Sequence, residues 1–339
     1  MIKYTKYILF FYIICHAYNT RAQTLHFSQF TQMEVFYNPA TAGFFDGDYR
    51  FHAMNRNQYR SVPVPYTTFS AGGDFKPLKL KNLQSGAGLM FNNDQAGDSK
   101  FYTRQILLSA ALGRKTGSDS SWFIGAGIQP GLTFMGIDES GLTFDNQYQG
   151  DSYNPGIDPG ENFTRLKVFL PELNAGLFLH KVLSPRNSLQ TGLSFQHLTR
   201  PKRSLFGNPA QWQSARMNII LRGTFRIHDR GDLLPEMLIQ TQKKYREWMT
   251  GLRYRHWLQP IDGKPTAIYA GIHYRHRDAA IVSIQMDYRS FNGGISYDFT
   301  LSDLRKANNR RGGLELSLVY IFKKPKTFIP VKKFCPVYL

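Results

Sequence analysis

The chain has 339 residues, 42% of them hydrophobic and 14% aromatic, with a formal net charge of +18 and two cysteines. After residue 30 no stretch reaches the ~20 continuous apolar residues of a membrane-crossing helix, and a mature chain left with Cys335 alone builds neither a disulfide framework nor a thiolate metal site. Many of the basic residues fall at alternate strand positions, not in one patch or helix stripe, which fits a charged lumen plus basic periplasmic segments, and the leader at residues 1–22 argues against a nucleic-acid partner.

Residues 1–22 read as a secretory signal peptide. Lys3 and Lys6 supply its charged start, Tyr7 to Cys15 its apolar centre, and Thr20-Arg21-Ala22 a small-x-small ending, so cleavage is expected before Gln23. Lipidation at Cys15 is disfavoured by Ile14, where a lipobox takes a small residue. Residues 23–47 are not strand-like. Asn38, Pro39, Ala40 and Gly43 punctuate the segment as turns, yet Phe27, Phe30, Phe36 and Tyr37 are too apolar for a free linker. The expectation is a short periplasmic, plug-like segment packing against or into the periplasmic end of a barrel.

From residue 48 to 322 the sequence alternates. Fourteen strands are predicted: 49–58, 66–75, 85–92, 102–114, 122–134, 172–181, 188–197, 215–227, 234–241, 246–257, 266–276, 280–289, 291–299 and 314–322. Ile268, Ala270, Ile272 and Tyr274 share one face, with Gly271, His273 and Arg275 on the other. Val282, Ile284, Met286 and Tyr288 oppose Ser283, Gln285, Asp287 and Arg289. Leu314, Leu316, Leu318, Tyr320 and Phe322 oppose Glu315 and Ser317. A sandwich would bury the apolar face. Strands of about ten residues, apolar outside, polar inside and aromatic near the ends, follow the outer-membrane barrel pattern. The fold class is therefore an all-β, antiparallel transmembrane barrel of about 14 strands, with both termini on the periplasmic side. The longest gaps, 135–171, 198–214 and 300–313, are all odd-numbered connections, as long outer loops would be. Connections nine and eleven are short exceptions.

The residues that could carry chemistry do little. Loop 135–163 holds Asp138, Glu139, Asp145, Asp151, Asp158 and Glu161 without a Lys or Arg; Asp151, Asn154, Asp158 and Glu161 are candidate calcium ligands, but the spacing is not that of an EF-hand and Pro155 and Pro159 interrupt it. His256, His273 and His276 lie on neighbouring strands, with His273 and His276 on opposite faces. No G-x-S-x-G or H-E-x-x-H motif occurs. Gly86, Gly88, Gly125, Gly127, Gly192, Gly251, Gly271, Gly293 and Gly294 read as strand glycines and not as a phosphate cradle, with Gly125 and Gly127 mid-strand, where glycine permits bending or close backbone approach. No catalytic, cofactor or metal residue is assigned, and no enzyme activity is expected. Arg222, Arg226, Arg253, Arg255, Arg275 and Arg289 are expected inside, either lining an open anion-selective bore or paired with acids of a plug; the sequence leaves both open. Residues 323–339 form a basic, proline-punctuated periplasmic tail in which Cys335 is either an unpaired thiol or a contact with a partner.

Three stretches carry a resemblance. His26–Phe30 with the Asn38–Gly43 turn, Arg56–Tyr59 with Pro65–Thr67, and the closing strands with the Cys-Pro tail together resemble the PorP/SprF family of type IX secretion outer-membrane proteins. Tyr59 stands where that family usually has Trp. The resemblance implies a non-catalytic component of the type IX secretion and gliding motility apparatus. It would assist export or surface anchoring of cargo with a C-terminal sorting domain, such as adhesins. Implied partners are outer-membrane lipid, the cargo, and the periplasmic ring lipoprotein with other secretion components; no cofactor is implied. The alternative is an outer-membrane pore for small anionic or oligosaccharide solutes, and the weakest reading is a soluble secreted β-protein.

Overall fold

The computed structural model describes residues 25–58, 66–78, 83–97, 100–117, 119–138, 142–150, 152–158, 160, 166–205, 211–302 and 311–324. The leader, Cys335 and most of the basic tail lie outside them. The strands are β1 (Tyr49–Gln58), β2 (Tyr66–Phe75), β3 (Leu83–Ala96), β4 (Phe101–Thr116), β5 (Trp122–Gly136), β6 (Tyr148–Gln149), β7 (Ser152–Tyr153) and β8 (Lys167–Ser184). They continue with β9 (Asn187–Gln196), β10 (Arg216–His228), β11 (Gly231–Gln242), β12 (Tyr245–Trp257), β13 (Ala267–Arg275), β14 (Ala279–Tyr288), β15 (Phe291–Thr300) and β16 (Arg311–Phe322).

All but β6 and β7 join in one closed antiparallel barrel of 14 strands. Closure is made by β1 on β16, with Tyr49 opposite Phe322 and Gln58 opposite Gly313. A closed sheet leaves no unpaired edge, the condition for backbone in hydrocarbon. β6 and β7 form a small ladder within the β5–β8 connection. β1 starts and β16 ends at one rim, here the near rim. The connections β5–β8, β9–β10 and β15–β16, the long ones, all lie at the opposite, far rim.

All fourteen predicted barrel strands are present, and β1 and β2 coincide with the predicted ends. β8 begins earlier than predicted, because Pro171 does not end it. Pro171 pairs with Leu132 of β5, and β9 stops at Gln196 before reaching its other side. The missing N–H thus falls where β8 runs on past the end of β9 and no ladder bond is lost.

The alternation sorts as read. Ile272 and Ile284 stand on the outer surface with 65% and 66% of their area exposed, while their neighbours His273 and Ser283 are buried inside. An exposed apolar belt all round the molecule is a surface for lipid. Rings edge the belt at both rims: Tyr49, Phe75 and Phe322 cluster at the near rim with centroids 6.0 and 6.1 Å apart, and Phe134 meets Phe169 at 5.3 Å at the far rim. No helix among the described residues is long and apolar enough to cross a membrane.

The inner face is not uniformly polar. Met54, Met90, Leu107, Leu238, Met249 and Ile281 point inward and are fully buried against Phe27, Phe30, Met33, Phe36 and Tyr37 of the amino-terminal segment. The molecule's main apolar core therefore lies inside the barrel. The segment runs from Leu25, whose carbonyl accepts from Arg216 at the far end of β10 (3.3 Å), to Gly47 beside Ile321 at the near rim. The plug-like segment, expected to pack against or into one end of the barrel, spans the bore, because its aromatic residues find apolar partners along the inner wall.

Candidate functional site

Three short helical pieces make up the segment: Phe30–Gln32, Glu34–Tyr37 and Pro39–Thr41. None is long enough to hold itself in water, so the wall must hold it. At the last piece Asn38 caps the turn by accepting from the Ala40 N–H (3.0 Å), and Pro39 occupies the first helical position. The Asn38 amide also donates to the Leu177 carbonyl of β8 (2.8 Å).

Here the wall is glycine. A Cβ built on Gly86 falls 1.9 Å from the Ala42 carbonyl oxygen, on Gly176 2.0 Å from Asn38 Oδ1, and on Gly127 2.6 Å from the Pro39–Ala40 peptide. The segment's backbone lies directly on the wall's backbone. Gly43, with φ +73°, makes the next turn, and its N–H donates to Asp74 (2.7 Å). Of the strand glycines noted in the sequence, Gly86, Gly125, Gly127, Gly192 and Gly294 face the bore-filling segment, Gly88, Gly251 and Gly271 face other residues of the wall, and Gly293 has open space beside it.

Further up the bore, charged groups clamp the segment. Glu315 accepts from the backbone N–H groups of Ser28 (2.7 Å) and Gln29 (2.9 Å) and pairs with Arg56 (2.9 Å). Arg56, only 1% exposed, also pairs with Asp298 (3.0 Å) and donates to the His26 carbonyl (2.8 Å). The Ser28 hydroxyl donates to Asp298 (2.7 Å) and accepts from Arg275 (2.6 Å). A second cluster joins Arg253, His273 and Glu236, with Arg253 Nε donating at 2.7 Å. A third links Glu34 of the segment to Arg222 and Arg50, with Arg50 also on Asp74 (2.8 Å). Charges this deeply buried persist because each has a partner.

Of the arginines expected inside, Arg222, Arg253, Arg255 and Arg275 are there, Arg255 pairing with Asp232 (2.6 Å). Arg226 and Arg289 are not. They sit at the near rim, half-exposed, on Asp229 and Asp262, because each lies where its strand is already turning. The partners also differ from those expected. Most are carboxylates of the wall itself, and Glu34 is the segment's one acid that meets the inner arginines. The inward faces of single strands did hold that signal: Asp74, Glu236, Glu247, Asp298 and Glu315 each occupy an inward position.

The histidines do not converge. His273 faces inward on Glu236, His276 packs on the rings of Trp248 and Tyr274, and His256 lies beside Tyr254. Of the calcium candidates, Asp151 and Glu161 lie outside the described residues. Asn154 and Asp158 each turn a side-chain oxygen onto a nearby loop N–H, of Gly156 and Gly160. Among the described residues no cluster of His, Cys, Asp or Glu could hold a metal ion. Above the segment, at the far rim, a small cavity of about 70 Å³ remains, lined by Leu25, Asp94, Glu172, His197, Arg203 and Arg216. His197 Nδ1 meets Glu172 at 2.6 Å there.

A lipid-facing barrel with its bore occupied by its own amino-terminal segment defines the class: a self-plugged membrane β-barrel protein. Comparison with known proteins narrows it. The chain belongs to the type IX secretion system membrane protein PorP/SprF family, whose family model matches residues 19–320. No curated protein matches the chain. Among solved structures it is similar to the Ralstonia pickettii toluene transporter TbuX, at 10% identity and TM-score 0.49 over 85% of this chain and 92% of that one. It is also similar to the P. putida toluene transporter TodX, at 12% identity and TM-score 0.47 over 85% and 93%. A Pseudomonas aeruginosa FadL homologue gives 10% identity and TM-score 0.42 over 86% and 94%. The barrel fold and the family together fit the outer membrane.

Proposed function

We propose that this chain acts as a non-catalytic, non-conducting platform of the type IX secretion and gliding apparatus, assisting export or surface anchoring of cargo with a C-terminal sorting domain. Family membership makes it a secretion component. The observation that carries the finer reading is the amino-terminal segment, bound to the wall from the far rim to the near rim. A solute pore needs a continuous aqueous path, and the filled bore speaks against that alternative.

In this reading residues 1–22 are the removed signal peptide, the near rim and the basic tail face the periplasm and the ring lipoprotein, and the far-rim loops face outward. The three longest connections at the far rim support that orientation. Two measurements test the proposal. A tagged chain purified from outer membranes should bring down secretion components and sorting-domain cargo. Deleting the gene should impair secretion of that cargo and surface spreading; unchanged secretion and spreading would refute the reading.

A further inference from the structure

We propose that the far rim carries a binding cleft for the phosphorylated headgroup of a glycolipid in the surrounding leaflet. The β9–β10 connection continues along the β8 edge and then folds over the far mouth of the barrel, with Leu205 packed on Met135, Val168 and Leu170 of the inner wall. Leu198 N–H donates to the Leu173 carbonyl (2.9 Å) and the Thr199 hydroxyl to the Pro171 carbonyl (2.6 Å). Two more backbone bonds, Arg203 N–H to Gln211 O (2.7 Å) and Gln213 N–H to Pro201 O (2.8 Å), close it into a flap with Lys202 opposite Trp212. Across from it is the β11–β12 turn, tied on where the Gln242 amide donates to the Ser214 carbonyl (2.7 Å). Between flap and turn lies an open cleft of about 660 Å³, lined by Arg200, Trp212, Ser214 and Lys243 among others. That volume is within the range of small-molecule sites.

The chemistry of the cleft is one-sided. Residues 197–215 and 243–246 contain Arg200, Lys202, Arg203, Lys243, Lys244 and Arg246, and neither Asp nor Glu. Among the described residues no carboxylate pairs with Arg200, Lys202, Lys243, Lys244 or Arg246, and the described acid nearest the start of the β5–β8 loop, Asp138, pairs with Lys100 (3.6 Å). The cleft therefore presents exposed positive charge with no acid in its own stretches of chain. Trp212 is 50% exposed, with Lys202 Nζ 5.2 Å above its ring. Arg200 and Lys243 both hold left-handed backbone, φ 44° and 53°, conformations that cluster where a side chain is placed for a task.

Position selects the ligand. Directly below the cleft the outer wall is lipid-facing, with Phe195 and Leu198 exposed, so the cleft opens at headgroup level. Exposed tryptophan beside cations is what that boundary favours, and uncompensated cations favour phosphate esters. The ring face of Trp212 suits the sugar of a glycolipid. The glycolipid assignment rests on the reading above in which the far rim faces outward, whereas binding by the purified chain in nanodiscs tests the cleft apart from that orientation.

The test uses the full mature chain in nanodiscs of neutral lipid, titrated with diphosphorylated lipid A and with the same lipid after dephosphorylation. Wild-type protein is expected to bind the phosphorylated form more tightly. The Arg200→Ala/Lys202→Ala/Lys243→Ala variant is expected to weaken binding on the order of 100-fold, from the usual contribution of each surface cation. Arg104→Ala/Lys167→Ala, which removes cations of the same rim outside the cleft, is expected to bind as wild type, and the unheated gel mobility of all three reports a folded barrel. Equal binding of both lipids, wild-type affinity in the cleft variant, or equal loss in the control would overturn the proposal. Full displacement of lipid A by millimolar inorganic phosphate would place the ligand in solution and overturn the lipid assignment.

Discussion

Substituting alanine at Gly86 is the sharpest probe of the filled bore. The new Cβ would lie 1.9 Å from the Ala42 carbonyl oxygen and 2.4 Å from its carbon, where ordinary contact begins at 3.4 Å. Both are main-chain atoms, so no rotamer relieves the 1.5 Å shortfall (3.4 − 1.9). The β3 backbone is ordinary strand and accepts alanine; the segment must move. Moving it strains packing by about 1–3 kcal/mol and lengthens the Gly43 N–H bond to the Asp74 carboxylate, worth about 1.5–3 kcal/mol. The combined cost, roughly 2.5–6 kcal/mol, falls on the near half of the segment, with the Glu315 clamp still holding the far half. Planar-bilayer recording should therefore show a silent wild type and brief openings for Gly86→Ala. Sustained openings are expected when Gly127→Ala and Gly176→Ala are added. Gly293→Ala, with open space around it, should stay silent. A folded triple variant as silent as wild type would refute the idea that these glycines seat the plug.

The same geometry sets three further outcomes. Glu315→Gln keeps one acceptor for Ser28 or Gln29 but leaves Arg56 short of a counter-charge; unfolding in detergent should report a loss of about 3–5 kcal/mol, and an unchanged midpoint would contradict the clamp. Ile284→Arg on the lipid face should cost about 2–4 kcal/mol in urea unfolding from vesicles, whereas Ser283→Ala, one residue away inside the barrel, should cost under half of that if the faces are assigned correctly. Asn38→Ala removes the cap and the bond to Leu177, about 0.5–2 kcal/mol, and should speed proteolysis within residues 25–47 without changing the barrel's gel mobility.

The strand cadence was legible because it is local. Period-two alternation with aromatic ends names a two-faced sheet, and the odd-numbered placement of long connections implies which rim carries them. The resemblance of the His26–Phe30 and Asn38–Gly43 stretches to PorP/SprF agrees with the family match. The role of Gly127 was half-legible: close approach was readable, the approaching partner was not, and the matching seats at Gly86 and Gly176 were not read from the sequence. Met54, Met90 and Leu107, large apolar groups on the polar face of their strands, were the unread sign that the bore holds an apolar guest.

What the sequence by itself determined is the barrel: number of strands, which side chains meet lipid, and an amino-terminal stretch too apolar to be free. These are properties of neighbours in the chain. What the tertiary structure alone decided is that this stretch spans the bore and that the inner arginines answer mainly to carboxylates of the wall. Arg56 reaches Asp298 and Glu315 across 242 and 259 residues of chain. Pairs so distant in sequence become neighbours when the sheet closes, and buried charge then settles on the partner that closure brings within reach.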